Sequence, residues 1–288
     1  MSTAIFLCTL LTSPGLADDR IAELASEDIS NADRDALVEE LKRSDISTTA
    51  PPILKLLRDY ASPEEPGIGP KPWMNDRHSH RAKVWYAAAA VWDTLFDGKS
   101  DLAKVAILLK LLNDYSDTYS RYVVLEKLRI HWSSDAEKQV ADLLQRRETQ
   151  DATKLDALRV LLEQVGEQYV PHAIDFIRSA PDKDKSRRYE RLFNVGDRFF
   201  KYARKNQDEI VTLGFAILEA DATPGTSAGY FLARQLGFFL KVSREFAPDQ
   251  RAPQYQGKSG LDESFFADTV MNALAWRKKS PAGVVTTP

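Results

Sequence analysis

The chain has 288 residues, 43% of them hydrophobic and 28% charged, with a formal net charge of −3. These are the proportions of an ordinary soluble globular protein, and the length allows a substantial core. The slight acidic excess argues against a dedicated nucleic-acid binder, which carries a surplus of bases.

At the N-terminus, Ala4 to Leu11 forms a short apolar run, followed by the helix breakers Pro14 and Gly15. Gly15-Leu16-Ala17 places small residues at the two positions that determine signal cleavage. Residues 1–17 are therefore predicted to be an export signal cut after Ala17, which for a bacterial source implies a periplasmic or secreted protein. No Lys or Arg precedes the apolar run, so the α-amino group supplies its only positive charge. The run is too short to span a bilayer. Cys8 is the only cysteine and would leave with the signal. The mature chain would then have no disulfide, thiolate nucleophile or cysteine-bound zinc. The residues before Cys8 form no convincing lipid-attachment box.

The next stretch is acidic, with ten acids against four bases between Asp18 and Asp45. Ala61 to Arg77 then interrupts the helical pattern with four prolines, and it also carries Trp73 and Met74. A helix starting after Asp76 would align His78, Arg81, Trp85 and Trp92 on one face. Together with Trp73, these residues are a candidate aromatic groove for a sugar or another flat ligand. Aromatics at this spacing equally form a core where an irregular N-terminal lobe meets the later helix stack. Both readings stay open at this point. Ala87 to Ala90 would let a neighbouring helix approach closely.

From Asp101 onward, apolar residues recur at helical spacing, first as Leu102, Val105, Ala106, Leu109 and Leu112. Ser134-Asp-Ala-Glu137 reads as a capping box opening the next helix. Short polar joins make neighbouring helices antiparallel, and the later helices pair as 101–132, 135–165, 167–205 and 207–243. Roughly twelve or thirteen helices are expected by periodicity, and no strands. A second Pro- and Gly-bearing interruption covers Phe246 to Asp262, and the residues after Ser280 read as a disordered tail.

Ser120-Arg121, Thr153-Lys154 and Ser186-Arg187 recur at 33-residue intervals, each near the start of the second helix of a pair. With the paired helices, this pattern resembles HEAT-like and related α-solenoid repeat proteins over about half the chain. The resemblance implies an all-α stack of antiparallel helix pairs that presents a curved face to a partner; it implies no catalytic residues. Residues 18–280 are expected to form one repeat-like domain.

The sharpest charge signal lies between Lys183 and Lys205. On a helix, Arg187, Arg191, Arg198, Lys201 and Lys205 fall along one line, opposite Tyr189, Leu192, Phe193, Phe199 and Phe200. This is either an anion- or partner-binding ridge or a solvated charged face. His78 and His80 sit two residues apart, and His131 and His172 each stand alone. No metal, cofactor or catalytic residue is assigned, because no metal-binding, phosphate-loop or nucleophile-elbow motif is complete.

The reading is a non-enzymatic binding or scaffold protein of the cell envelope or extracellular space, holding a protein or an anionic polymer. The alternative is a helical hydrolase or lyase acting on an anionic glycan, with Arg187, Arg191 and Arg198 binding substrate. A nucleic-acid repair role, which HEAT-like folds also serve, is disfavoured by export and net acidity.

Overall fold

The computed structural model describes residues 14–61, 79–98, 101–193, 206–220, 225, 227–249, 251–255 and 262–280. The described residues contain helices and no strand, in agreement with the all-α expectation. Among the described residues, five helices precede Tyr115: α1 Pro14–Leu24, α2 Asn31–Leu41, α3 Ile46–Asp59, α4 His80–Leu95 and α5 Leu102–Asp114. Then come α6 Thr118–Ile130, α7 Ser134–Gln145, α8 Asp151–Gln164, α9 Val170–Arg178 and α10 Asp182–Phe193. The last four are α11 Gln207–Ala220, α12 Ser227–Phe239, the short α13 Ser243–Phe246, and α14 Glu263–Lys279. No described helix is long and apolar enough to cross a membrane.

Side-chain caps set where the helices begin. Asp45, Asp101, Asp117 and Asp262 accept backbone amides at the starts of α3, α5, α6 and α14. Ser30, Ser79 and Ser133 do the same for α2, α4 and α7. Each cap satisfies at least one of the amides that a first helical turn leaves without a partner, and Asp45 satisfies two. Two boundaries differ from the sequence reading. The cap of α7 is Ser133, one residue before the expected Ser134, and α4 starts at His80, so Arg81 falls on the helix while His78 precedes it. Pro14 does not break a helix; it opens one, where its missing N–H has no intrahelical acceptor to lose. A cut after Ala17 would fall inside α1 and leave the buried Ile21 and Leu24 in the mature chain.

The chain divides into two compact units between Ala157 and Leu158, within α8. In the first, α4 packs on α1, α2 and α3, and α3 also packs on α5 and α6. Ala82, Val84 and Ala88 are completely buried here, and so are Ile53 and Leu54 of α3. The small side chains near the middle of α4 allow that close approach, as expected. Helices α5 and α6 form the predicted pair, and α7 packs on α5. In the second unit, α9 packs on α10, and α10, α11, α12 and α14 share a core around Tyr189, Phe193, Phe215, Leu236 and Phe246.

The 33-residue signal corresponds to a recurring burial. Ser120 and Thr153 are the third residues of α6 and α8, Ser186 is the fifth of α10, and all three are buried. The basic half of the signal has a structural role in part. Arg121 donates through Nε to the Tyr115 carbonyl (2.8 Å), which ends α5. Arg34 of α2 donates in the same way to the Leu24 and Ser26 carbonyls (3.3 and 2.9 Å) after α1. Arg81 of α4 donates to the Asp59 and Ala61 carbonyls (3.0 and 2.9 Å) after α3. In the third repeat, Arg188 rather than Arg187 plays this part, bonding the Phe176 carbonyl at 2.8 Å and lying 4.1 Å over the Phe176 ring. A guanidinium is suited to the negative end of a helix, where carbonyls lack intrahelical donors.

Two phenols, the half-buried Tyr119 and the buried Tyr189, give the fold an alkaline limit. Burial pushes the Tyr119 hydroxyl up to about 12, partly countered by the hydrogen bond from Trp85. Burial raises that of Tyr189 as well. Unfolded tyrosine ionises near pH 10. Above that pH the unfolded chain sheds these protons while the folded chain keeps them, so stability must fall. Urea midpoints should hold up to about pH 10 and drop between pH 10 and 12. The Tyr119→Phe, Tyr189→Phe double variant should lose part of that drop; an unchanged pH profile would contradict the assignment.

Candidate partner-binding groove

Helix α5 is apolar on more than one side, and its neighbours cover only some of them. Val105, Leu108, Leu109, Leu111 and Leu112 are buried, but Leu102 is 81% exposed and Ala106 is exposed beside it. Leu102, Val105, Ala106 and Leu109 are four of the five residues whose spacing first marked α5 as amphipathic. They form the floor of an open groove of about 840 Å³ between α5 and α7. A side chain such as Leu102, left in water, marks an incomplete apolar contact when it stands beside a concave surface.

The rim is mixed. Helix α5 contributes Lys110 and Asn113, and α7 contributes Asp135, Lys138, Gln139, Asp142 and Arg146. The two helices run in the same sense: Leu102 and Asp135 lie early in theirs, Asn113 and Arg146 at the far ends. The groove is therefore most apolar at the Leu102 end, with charges of both signs along its rim.

The far end is held together by side chains. Asn113 donates through Nδ2 to the Leu109 carbonyl (3.0 Å) and to Oε1 of Gln139 (2.7 Å). Arg146 donates through both terminal nitrogens to Oδ1 of Asn113, each at 3.3 Å. Arg121 approaches the same end of α5 through its bond to Tyr115, two residues beyond Asn113, and is 5% exposed. Burial, followed by the like charge of Arg146, draws the Arg121 guanidinium below its ordinary pKa, against the pull of Asp117 and Glu148. Asp117 is already engaged, capping the Ser120 amide at 2.8 Å and standing 3.9 Å from Arg58.

The residues singled out in the sequence are placed differently. Trp92 is 3% exposed and packs on Phe96 with ring centroids 4.6 Å apart, so it belongs to the core and not to a groove. Periodicity put it on the face of Arg81 and Trp85, but α1, α2 and α3 cover much of α4. Trp85 is half-buried, and its Nε1 donates to the Tyr119 hydroxyl at 3.0 Å. Arg81 joins α4 to the end of α3 through the two carbonyls named above. Trp73 and His78 lie outside the described residues. On α10, Tyr189, Leu192 and Phe193 are buried while Arg187 is exposed and Arg191 half-buried, an orientation common to a binding ridge and a solvated charged face. Arg198, Lys201 and Lys205 lie outside the described residues.

His131 is fully buried, with Nε2 against the Phe96 carbonyl. A carbonyl only accepts, so Nε2 carries the proton and the ring ties the end of α4 to the end of α6. Among the described residues, no group of three or more His, Cys, Asp or Glu is arranged to hold a metal ion.

Compared with protein-family models, curated proteins and solved structures, the chain finds no match.

Proposed function

We propose that this is a non-enzymatic binding or scaffold protein that holds a protein partner along the groove between α5 and α7. The observation that carries this reading is Leu102, 81% exposed at the mouth of a groove of about 840 Å³ whose floor is Val105, Ala106 and Leu109. Burying one such leucine side chain is worth about 1.5–3 kcal/mol, so a partner gains most from covering it. An apolar floor between charged rims suits a peptide segment laid lengthwise, the mode in which helical grooves hold partner helices. The rim sets Asp135 and Asp142 among Lys110, Lys138 and Arg146, and such mixed signs suit a protein segment better than an anionic polymer. The HEAT-like resemblance points the same way, since such stacks work by presenting helix-pair surfaces. Export completes the proposal and places the partner in the envelope or outside the cell. Intact mass of the protein from its native host should show Asp18 as the first residue.

The groove is tested by a photo-crosslinking residue at Ala106, with the exposed Glu219 of α11 as control site. In the native host, Ala106 should yield one discrete adduct that Glu219 does not, and Leu102→Asp should abolish it without unfolding the protein. The same adducts at both sites, or an Ala106 adduct that survives Leu102→Asp, would overturn the reading.

A further inference from the structure

We infer that the occupant of this groove is an amphipathic helix laid antiparallel to α5 and α7. Along its edge facing α7 its charges alternate as Glu, Lys, Glu and Lys, one turn apart. The inference rests on the binding function proposed above and adds the chemistry and direction of the occupant.

The α7 rim carries charge in a regular order. Asp135, Lys138, Asp142 and Arg146 follow one another at intervals of three, four and four residues, so they share one side of the helix. Their signs alternate, acid then base, from the Leu102 end of the groove to the far end. The first three are exposed and Arg146 is half-buried. Arg146 gives one N–H from each terminal nitrogen to Asn113, and a guanidinium has further N–H groups to offer. The α5 rim is plainer, with Lys110 and the neutral Asn113. A chain of a single sign therefore meets like charges on the α7 rim whichever sign it carries, whereas an alternating chain meets none.

Spacing selects a helix. Asp135 and Arg146 are eleven residues apart, about 16.5 Å at 1.5 Å per residue, or three steps of about 5.5 Å. A helix alongside presents a side chain to the same edge about every 5.4 Å and stays in step. An extended chain does so about every 6.6 Å and falls about 3 Å out of step over the same run. Direction follows from α5 and α7 running in the same sense. A helix antiparallel to both sets its dipole against theirs and meets Arg146 first and Asp135 last. Its matching order is then Glu, Lys, Glu, Lys from its N-terminus. That order also supports the bound helix, with Glu one turn before Lys and an acid at the N-terminal end. The parallel order, Lys first, has neither advantage.

The probes are two synthetic peptides with the same leucine face and the same composition. One carries the matching order along one edge, and in the other each Glu and Lys is exchanged. The matching peptide should bind the full-length protein about tenfold more tightly at low salt, since four exposed pairs turn from attraction to repulsion. The preference should vanish at about 1 M salt, where the Debye length is about 3 Å. The double variant Lys138→Glu, Asp142→Lys leaves two pairs matched and two opposed for either peptide, so it should remove the preference. Unequal helicity of the free peptides cannot imitate that result, because it is the same for both proteins. Leu102→Asp should abolish binding of both peptides, and circular dichroism confirms that each variant is folded. Should the double variant unfold, Lys138→Glu alone decides by lowering the preference. Equal binding of the two peptides by the unaltered protein, no binding of either, or a preference that survives the double variant overturns the inference. Displacement of the matching peptide by polyphosphate, or self-association of the protein that Leu102→Asp abolishes, gives the groove to another occupant and overturns it too. The Ala106 crosslink separates the two ideas: a discrete adduct in the native host, with equal binding of the two peptides, keeps the groove and removes the charge order.

Discussion

Tyr189→Ala is expected to lower the unfolding free energy by about 3–5 kcal/mol, the usual range for deleting a buried aromatic ring. Tyr189 is the largest fully buried side chain among the described residues. Its ring meets Phe193 edge-on with centroids 5.3 Å apart, and its hydroxyl donates to the Ile210 carbonyl at 3.1 Å. The hydroxyl also lies against α11 at Gly214, where a built Cβ would stand 3.1 Å from it. Alanine leaves a cavity between α10 and α11 that these backbones cannot close. Tyr189→Phe keeps the ring and loses one hydrogen bond, for about 1 kcal/mol. Domains of this kind are stable by only about 5–15 kcal/mol, so the alanine variant should show a large fall in its urea midpoint. Equal midpoints for the two variants would show that the ring is not a keystone of the second unit's core.

The second large effect is expected at Arg34. This guanidinium is 5% exposed and joins the Leu24 and Ser26 carbonyls, which end α1, to the first turn of α2. Arg34→Ala removes two charge-assisted hydrogen bonds and the packing of the side-chain stem. The expected loss is about 2–4 kcal/mol. Arg34→Lys should recover less than half of it, because a compact ammonium cannot present two donors along one edge as a guanidinium does. Equilibrium unfolding measures the loss, and amide exchange in the last turn of α1 locates it. A lysine variant as stable as wild type would reduce the contact to simple charge.

Much of the fold was legible because it depends on short sequence separations. Helix spacing, the short joins after α5 and α7, and the buried face of α10 all lie within one or two turns of the residues that signal them. The boundaries of α4 and α7 were less legible. Neighbouring serines compete for a cap, and local sequence does not decide between Ser133 and Ser134. Faces were harder still. Trp92 and Leu102 both sit on apolar stripes, yet one is core and the other lies in water. The difference lies in which helices pack there, and periodicity holds no such information. The arginines that join helix ends were half visible, as a basic residue recurring near helix starts. Their acceptors lie 6 to 22 residues upstream and were not. The contact between Asn113 and Arg146 was invisible for the same reason: the two are brought together only by the packing of α7 on α5.

The arginines that reach back to the preceding helix carry a consequence for how the chain is made. In each case the donor is synthesised after its acceptors: Arg34 follows Leu24 by ten residues and Arg81 follows Asp59 by twenty-two. A helix leaving the ribosome therefore keeps bare carbonyls at its trailing end until the next helix has begun to emerge. Translation adds about 5–20 residues per second, so that interval lasts on the order of a second. The hairpin, not the single helix, is the smallest piece of this chain that can finish its own backbone hydrogen bonding during synthesis. A ribosome stalled between Leu24 and Arg34 would hold α1 with its last turn still open to water.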